Sequence, residues 1–307
     1  MKKYIDMIRR AIGKINFGLV REFRIELLLE RLNRLSNESA LSGVTPELYC
    51  GKNVIVSLTT HGRRIHQVYL TLESLMQQTL KPNKIVLWLG KDEFSDNNIP
   101  IKLKRLRSRG LEIGYVEDVG PYTKIIPALQ KYPEEIIVTV DDDVLYHDEL
   151  IEHLVNGYKQ NPRVIHFCRG HRIKLDKDGQ PLAYKDWLQQ IEDMNVDRLN
   201  FPTGIGGVLY PPHALHEDAT RADLFMKLCP TADDIWLKVM ALLNGSESCK
   251  VYTTNKSGCD YCYIDYNNPE DEVALCRINI GLGKNDEQIK ALLAHYGLSL
   301  QEAISQG

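Results

Sequence analysis

Three consecutive aspartates, Asp141-Asp142-Asp143, follow a short run of β-branched residues in this 307-residue chain. The run from Ile136 to Val140 is too short and too branched for a helix, so it predicts a buried strand. The carboxylates then emerge at the carboxyl end of that strand, where open α/β sheets bind their ligands. Carboxylates this close together favour a hard divalent cation, which prefers oxygen ligands and offsets their repulsion. The alternative is a solvated acidic turn, but a buried strand in front of the acids favours the cation site.

A second acidic pair, Asp233-Asp234, begins an apolar segment that predicts a helix from Ala232 onward. Carboxylates are favoured at a helix N-terminus by the helix dipole, and they can also serve there as simple caps. The glycine-rich loop at Phe201–Pro212 precedes this helix. Its Gly204, Gly206 and Gly207 either form turns or let the backbone approach a sugar or phosphate closely. The loop has neither GxGxxG nor P-loop spacing, which argues against a Rossmann dinucleotide site or an NTPase.

The segments ahead of the three aspartates alternate between strand and helix patterns. Strand–helix–strand order within so few residues requires a right-handed crossover and therefore parallel strands. The pattern predicts an α/β fold with a mostly parallel central sheet. The predicted segments are the strand Asn53–Thr60, a helix carrying Val68 to Leu80, the strand Lys84–Leu89, the helix Ile101–Arg109, the strand Leu111–Val116 and a helix opened by Tyr122-Thr123-Lys124.

The second half of the chain has a less regular pattern. Composition and turn signals there predict both helices and strands, with a hairpin turn at Asp176–Gly179. The predicted segments are the helix Leu150–Tyr158, the strand Val164–Cys168, a last core strand Val251–Thr254 and a helix from Asn285 through Tyr296.

Charge is distributed unevenly along the chain. The apolar fraction of 43% and charged fraction of 26% are typical of a globular protein, and a net charge of -3 gives no indication of nucleic-acid binding. Residues 1–36, however, carry nine Lys or Arg against four acids, with apolar residues at helical spacing. A basic amphipathic helix of this kind either lies on an anionic lipid surface or packs on the body or on a second subunit.

Cysteine usage and hydropathy predict a cytoplasmic protein, with residues 1–36 as a candidate contact with the inner face of the plasma membrane. The seven cysteines are an odd number in a chain too long to need a disulfide framework, which favours a reducing compartment. The chain has neither an 18-residue apolar run nor the apolar region of a signal peptide. Cys259 and Cys262 have zinc-ligand spacing, but without a second pair we expect plain thiols.

In order and spacing, these residues resemble the GT-A-fold glycosyltransferases, particularly the bacterial family 2-like enzymes of surface-polysaccharide clusters. The resemblance spans residues 50–290 and lies in Thr59-Thr60 after the first strand, Asp92 after the second, Lys124, Asp141-Asp142-Asp143, Gly206-Gly207 and Asp233-Asp234-Ile-Trp236. It implies a GT-A-like, Rossmann-related catalytic domain at 50–290, with a nucleotide-binding half at 50–145 and an acceptor half at 146–290. Residues 1–40 would form a helical extension, and 291–307 a C-terminal helix and tail.

The resemblance also implies an activity. Such enzymes transfer a sugar from a nucleotide-sugar donor, most commonly a UDP-sugar, with Mn²⁺ or Mg²⁺ held by the acidic motif. The acceptor would be a glycan or a lipid-linked oligosaccharide in polysaccharide biosynthesis. A single candidate base is consistent with inversion, since in-line displacement needs only one. The absence of a Gln-x-x-Arg-Trp sequence favours the transfer of one sugar over processive polymerisation.

By position, the resemblance assigns a role to each candidate residue. Each one also has a plain structural alternative, such as a strand end, a turn, a surface charge, a helix cap or a core position. The implied roles are nucleotide contacts for Thr59, Thr60 and Arg63, a base or ribose contact for Asp92, a diphosphate contact for Lys124, ribose and metal contacts for Asp141, donor binding for Asp142, the main metal ligand for Asp143, backbone contacts for Gly206 and Gly207, the catalytic base for Asp234 or Asp233, and an acceptor floor for Trp236.

Two features depart from the family. The base motif is Asp-Asp where Glu-Asp is more usual, and past the last core strand the only histidine is His295, within a predicted helix. Asn285, Asp286 or water would have to complete the metal site.

Two other functions remain open. A sugar nucleotidyltransferase would need a glycine-rich loop after the first strand, where His61-Gly62-Arg63-Arg64 has one glycine, and a non-catalytic scaffold would work through the basic N-terminal helix. The oligomeric state is open.

Overall fold

The computed structural model describes residues 22–253, 261–264, 279, 281 and 283–305. Within them, seven strands form one sheet in the order β10-β6-β9-β4-β1-β2-β3, and two short two-stranded sheets pair β11 with β5 and β7 with β8. The strands are β1 (Val54–Thr59), β2 (Lys84–Gly90), β3 (Leu111–Val116), β4 (Ile136–Thr139), β5 (Val144–Tyr146), β6 (Ile165–Phe167), β7 (Gly170–Arg172), β8 (Asn200–Pro202), β9 (Val208–Tyr210), β10 (Ser248–Lys250) and β11 (Tyr261–Tyr263).

Helices flank this sheet, and 3-10 turns lead into several of the loops. The α-helices are α1 (22–38), α2 (Val68–Met76), α3 (Ile101–Arg107), α4 (Ile126–Lys131), α5 (Leu150–Gln160), α6 (Ala222–Leu228), α7 (Asp233–Leu243), α8 (Lys284–Tyr296) and α9 (Leu300–Ser305). The 3-10 helices are Gly62–His66, Gly120–Lys124, Tyr184–Asp186, Gly204–Gly206 and Glu217–Thr220.

The centre of the sheet is parallel. Strand β1 lies between β2 and β4 and is parallel to both, and β3 is parallel to β2 on the outside. The side chains of β1 and β4 are almost completely buried, because helices cover both faces of the sheet. Because these strands are parallel, the carboxyl ends of β1, β2 and β4 lie at the same edge of the sheet. The predicted α/β fold with a mostly parallel central sheet flanked by helices is confirmed.

Strand β9 joins the later part of the chain to this parallel core. It is antiparallel to both β4 and β6, so segments from the predicted nucleotide-binding half and acceptor half share one sheet. The prediction of a last core strand at Val251–Thr254 was wrong, because the strand in this part of the chain is β10, which ends at Lys250. It pairs with β6, and the chain leaves the sheet after the Val251 N–H donates to the Phe167 carbonyl; residue 254 lies outside the described residues.

Residues 22–38 pack on the body of the protein. Ile25 and Leu32 of α1 are buried, and Leu32 packs with Leu70 and Leu145. The Arg109 guanidinium donates to the carbonyl oxygen of Leu41 beyond the end of α1. For this segment the structure supports the packing alternative. Residues 1–21 carry six of the nine basic side chains of 1–36 and lie outside the described residues. In the part of the chain that the structure describes, no helix combines the length and apolarity needed to cross a bilayer.

Candidate functional site

The three aspartates lie at the carboxyl edge of the sheet, between β4 and β5. The turn is held by Tyr146, whose hydroxyl accepts a hydrogen bond from the Asp141 N–H at 2.8 Å and donates to the Ile205 carbonyl at 3.1 Å. Tyr146 is buried, and these two hydrogen bonds connect the aspartate turn to the glycine-rich loop. The predicted location of the acidic group at the end of a buried strand is confirmed.

Asp142 points into the protein. One carboxylate oxygen accepts from the Thr60 hydroxyl at 2.5 Å, and the other accepts from the Arg64 guanidinium at 2.8 Å. The Thr71 hydroxyl of α2 also donates to the Asp142 carbonyl oxygen. Because both carboxylate oxygens already have protein partners and the residue is 6% exposed, Asp142 acts as an internal brace. Its side chain connects the loop after β1 to the aspartate turn.

Asp141 is joined to the acidic helix start by a buried cation. The Lys124 ammonium lies 2.8 Å from an Asp141 carboxylate oxygen and 2.9 Å from Oδ2 of Asp233. Burial opposes the charge, but the neighbouring carboxylates hold the pKa of Lys124 well above its ordinary value. Lys124 is therefore a charged, 7% exposed bridge between the end of β4 and the start of α7. It is positioned by its own backbone, since its carbonyl accepts from the buried Ser57 hydroxyl of β1.

Asp234 lies beside this bridge and is held by the glycine-rich loop. The Gly204 N–H donates to Oδ1 and Oδ2 of Asp234 at 3.0 and 3.2 Å. A Cβ at residue 204 would lie 2.8 Å from the Lys124 Nζ and 3.2 Å from the Asp234 Oδ1, so any larger residue would have to displace these charged groups. The loop backbone thus lies close to Lys124, Asp141 and Asp234, and its contact with a sugar or phosphate stays a prediction.

The carboxylates outnumber the cations in this region. Five aspartates, including the half-exposed Asp143, share the charges of Arg64 and Lys124 among the described residues. Burial, and then the charges of Asp141 and Asp142, raise the pKa of Asp143 to about 6. Burial, followed by the charge of Asp233, raises the pKa of Asp234 to about 8. Burial also raises the pKa of Asp233, although Lys124 opposes this effect. Excess negative charge of this kind favours additional cations or protons.

Asp141 and Asp143 fit as two ligands of a divalent cation. Their side chains are 29% and 34% exposed and offer oxygen atoms, and the pKa of Asp143 is raised by burial and, after it, by the charges of Asp141 and Asp142. Over the described residues, however, no group of three or more His, Cys, Asp or Glu side chains is arranged to hold a metal. The remaining positions would be taken by water and by phosphate oxygens, as is common for Mg²⁺.

The residues considered for a third ligand lie elsewhere. The Asp286 carboxylate accepts from the Tyr184 N–H at 2.7 Å, Asn285 is 6% exposed in α8, and His295 is exposed at the end of the same helix. Cys259 of the zinc-like pair lies outside the described residues, and Cys262 is half-buried on β11.

Gly206 and Gly207 serve the packing of the loop. A Cβ at Gly206 would lie 2.9 Å from the Arg169 backbone nitrogen. Gly207 has a φ of 86°, and its Cβ would meet a Leu150 methyl at 2.9 Å. These two glycines let the loop turn into β9, whereas Gly204 is the one that faces the acidic residues. Donor contacts at Gly206 and Gly207 stay a prediction.

The candidates on the loops after β1 and β2 lie at the same edge of the sheet but apart from the ion pairs. Thr59 donates its hydroxyl to the Trp88 carbonyl at 3.0 Å, and Arg63 and Asp92 are exposed. The two loops adjoin, because the Gly62 N–H donates to Glu93 at 3.0 Å. Nucleotide contacts by Thr59, Arg63 and Asp92 stay predictions. The arginine that contacts the acids is Arg64, which sequence analysis did not single out.

Trp236 lies in the core. It is fully buried, its indole N–H donates to the Ala219 carbonyl at 3.0 Å, and its ring packs edge-on against Phe225. This position corresponds to the structural alternative for Trp236, and a fully buried indole offers no floor to an acceptor sugar.

No protein-family model matches this chain, and no curated protein matches it. Solved structures with similar folds include TarS from S. aureus (residues 1–349) in complex with UDP, at 16% identity and a TM-score of 0.44, covering 66% of this chain and 58% of that one. Mannosyltransferase PcManGT from Pyrobaculum calidifontis, in complex with GDP-Man and Mn²⁺, has 19% identity and a TM-score of 0.31, covering 50% and 45%. GalNAc-T7 with UDP, GalNAc and Mn²⁺ has 10% identity and a TM-score of 0.44, covering 65% and 42%.

The chain thus spans about half the length of these proteins, between 42% and 58%. Because each of these three TM-scores is below 0.5, the function is inferred from the residues of the site.

Proposed function

We propose that this protein is a glycosyltransferase that moves a single sugar from a nucleotide-sugar donor to a glycan or lipid-linked acceptor. The observation that carries the proposal is the meeting of two acidic groups at the carboxyl edge of the sheet. Asp141 and Asp143 end β4, Asp233 and Asp234 begin α7, and Lys124 joins the two groups through contacts of 2.8 and 2.9 Å.

Each acidic group suits one half of such a reaction. Asp141 and Asp143 would hold Mn²⁺ or Mg²⁺, which when bound stabilises the negative charge that develops on a departing nucleoside diphosphate. Asp234 suits the general base that takes the proton of the acceptor hydroxyl. Its pKa of about 8 lies near the operating pH, as efficient proton transfer requires.

The remaining residues keep these groups in place. Lys124 fixes Asp233, and with it the first turn of α7, against the aspartate turn. The Gly204 N–H orients both oxygens of Asp234. Thr60 and Arg64 hold Asp142, so that the carboxylates on either side of it are presented at the edge of the sheet. A single base, with no second carboxylate needed as a nucleophile, favours inversion. UDP is the first nucleotide to test.

A thermal-shift screen of nucleoside diphosphates with and without Mn²⁺ tests donor binding. Binding to the folded state at 100 times Kd stabilises a protein by about 2.7 kcal/mol, which corresponds to an increase in Tm of about 4 °C for a chain of 307 residues. We expect this shift with one nucleotide plus Mn²⁺, and its loss in Asp143→Asn. The exposed Asp178→Asn serves as the matched control. If no nucleotide raises Tm, or if Asp143→Asn responds like the wild type, the proposal is wrong.

The reaction products distinguish a glycosyltransferase from a nucleotidyltransferase. A transferase releases a nucleoside diphosphate from a sugar nucleotide, whereas a nucleotidyltransferase would release pyrophosphate from a nucleoside triphosphate. If the protein converted neither sugar nucleotides nor nucleoside triphosphates but still bound partners, the scaffold function would be supported.

A further inference from the structure

Two cationic side chains lie at the carboxyl edge of the sheet, on the opposite side of β4 from β1. Strand β6 is antiparallel to β9, which is antiparallel to β4, so the carboxyl ends of β6 and β4 share one edge. Arg169 follows β6 by two residues, and Lys250 ends β10, which is parallel to β6. The sheet order puts β6 and β10 two and three strands from β4, or about 10 and 14 Å away at about 4.8 Å per strand. These cations therefore lie beyond the aspartate turn.

Arg169 is connected to the proposed base through the glycine-rich loop. Its Nη1 donates to the Thr203 hydroxyl at 2.8 Å, and the Thr203 N–H donates to the Arg169 carbonyl at 3.1 Å. The next residue, Gly204, donates its N–H to the Asp234 carboxylate at 3.0 Å. The Arg169 side chain is half-buried, and its guanidinium forms no ion pair with any of the described residues. The guanidinium fork fits a carboxylate or a phosphate, and the Thr203 contact uses only one of its nitrogens.

Lys250 is a buried cation with only distant polar neighbours. The residue is 7% exposed, and its Nζ lies 3.4 Å from the Val251 carbonyl oxygen and 3.5 Å from the Thr253 hydroxyl oxygen. Both distances exceed the usual range of about 2.7–3.2 Å for an N–H···O hydrogen bond. Within the part of the chain that the structure describes, no carboxylate pairs with this ammonium. A buried charge without a partner is costly, so the position favours a negatively charged ligand.

Tyr184 lies within reach of the charges of both Asp234 and Arg169. Burial raises the pKa of Tyr184, the charge of Asp234 adds to the rise, and the charge of Arg169 opposes it. The ring is fixed by its packing against Trp187 and Phe201, whose ring centroids are 4.7 and 5.8 Å away. The Tyr184 hydroxyl has no hydrogen-bond partner among the described residues, so its proton is available to a ligand beside Asp234.

We propose that Arg169 and Lys250 bind a negatively charged group of the acceptor, a phosphate or a sugar carboxylate, close to the hydroxyl that Asp234 deprotonates. The inference rests on the proposed function, because it names the class of acceptor for that reaction: an acidic sugar. The Tyr184 hydroxyl donates to the same group. The diphosphate of the donor does not need these cations, since the metal on the aspartate turn would offset its charge. Their distance from β4 likewise places them on the acceptor side of the base.

Binding of small acidic sugars to the full-length protein tests this site without donor or metal. The probes are glucose 6-phosphate and glucuronate, with glucose as the neutral control, and EDTA keeps metal ions off the aspartate turn. Ligand-observed NMR titration gives each Kd. We expect at least one acidic sugar to bind about tenfold or more tightly than glucose, because charge-assisted hydrogen bonds are the strong ones. The acidic sugar that binds more tightly identifies the group as phosphate or carboxylate.

Substitutions assign that binding to the two cations. Arg169→Met and Lys250→Met keep the aliphatic stems and should each weaken the acidic sugar about tenfold or more, while leaving glucose unchanged. Tyr184→Phe, which keeps the packed ring, should weaken it about threefold. The exposed Arg163→Met is the matched control and should bind like the wild type. If Arg169→Met does not fold, Arg169→Lys keeps the charge without the fork and should still weaken binding about threefold.

Three results would overturn the inference. Neither acidic sugar may bind more tightly than glucose, or Arg169→Met and Lys250→Met may both bind the acidic sugar as well as Arg163→Met does. In the third, Arg169→Met abolishes the Tm shift given by a nucleoside diphosphate with Mn²⁺, which would assign Arg169 to the donor instead.

The sugar titration needs no donor, so its outcome is separate from that of the proposed function. Binding of an acidic sugar without any sugar transfer would remove the transferase proposal alone. A nucleotide shift and sugar transfer without acidic-sugar binding would remove this inference alone. Where transfer to an acidic acceptor is measured, Arg169→Met should raise the acceptor KM about tenfold or more and change kcat less than about threefold. A fall in kcat with KM unchanged would contradict the inference.

Discussion

Replacing the proposed base should stabilise the fold while it abolishes sugar transfer. In Asp234→Asn the amide oxygen can still accept the Gly204 N–H, so the hydrogen bond at 3.0 Å survives. What disappears is a carboxyl group whose pKa is raised from 3.8 to about 8, chiefly by burial. Because its pKa is higher in the folded state than in the unfolded chain, the folded state binds the proton more tightly. Wild-type stability therefore falls as the pH rises through that interval.

The size of the change in unfolding free energy follows from the pKa shift of Asp234. Each pKa unit corresponds to about 1.4 kcal/mol, so an undiminished shift of about four units would cost the wild type about 6 kcal/mol. Asp234 is only half-buried, so solvent screening reduces this gain. We expect the stability advantage of Asp234→Asn to grow by about 1–3 kcal/mol between pH 5 and pH 8.

Urea unfolding of both proteins at pH 5, 6.5 and 8 measures this difference. Asp223→Asn is the control, because the exposed Asp223 pairs with Arg221 and its pKa is lowered, so removing it should give no growing advantage. A difference between Asp234→Asn and the wild type that stays constant with pH, or that decreases toward pH 8, would refute the argument that Asp234 is a protonated carboxyl in the resting site.

Three further substitutions test the supports of the site. Lys124→Met leaves Asp141 and Asp233 without their shared cation and should destabilise the protein by about 3–5 kcal/mol at pH 8. Urea unfolding should show a smaller loss at pH 5, where Asp234, whose pKa is about 8, holds a proton and adds no negative charge to the site. The exposed control Lys131→Met should show no comparable loss. Gly204→Ala puts a methyl group 2.8 Å from the Lys124 Nζ, so transfer activity should fall at least tenfold, with about 1–3 kcal/mol lost in urea unfolding. In Gly281→Ala the added methyl group meets no atom of the described residues within 4 Å, so this control should match the wild type. Arg109→Met removes the ion-pair partner of the fully buried Glu73 and should cost about 3–5 kcal/mol in the same assay. Arg107→Met, which breaks the exposed pair with Asp96, should cost less than about 1 kcal/mol.

The sheet and the position of the acids could be predicted because their signals are local. The β-branched run before Asp141 is almost completely buried in β4, and strand–helix alternation permits only parallel pairing of β1, β2 and β4. Chain continuity then places the ends of these strands on one edge. The segment from Val251 was misassigned because β10 itself, Ser248-Cys249-Lys250, lacks an apolar pattern, whereas the apolar and β-branched residues begin at Val251, which makes the last ladder hydrogen bond.

The partners of the acids could not be predicted in the same way. Thr60 and Arg64 lie 82 and 78 residues from Asp142, and Gly204 lies 30 residues from Asp234. In the 3-10 helix at Gly62–His66, neighbouring side chains point about 120° apart, so only one of two adjacent arginines can face the acids. Nothing in the local sequence says that Arg64 rather than Arg63 takes that position.

In helix α7, the direction of the Asp234 side chain determines the directions of the side chains that follow it. Successive residues of an α-helix are about 100° apart, so Trp236, two positions after Asp234, points to the opposite side. That side is the core, where the indole donates to Ala219. Lys238, four positions after Asp234, returns to the same face and lines a pocket together with Asp234. The direction of the Asp234 side chain is therefore fixed from both sides of the helix, by a buried indole on one and by the Gly204 N–H on the other. Any rotation of α7 that moved Asp234 away from its loop would also expose Trp236.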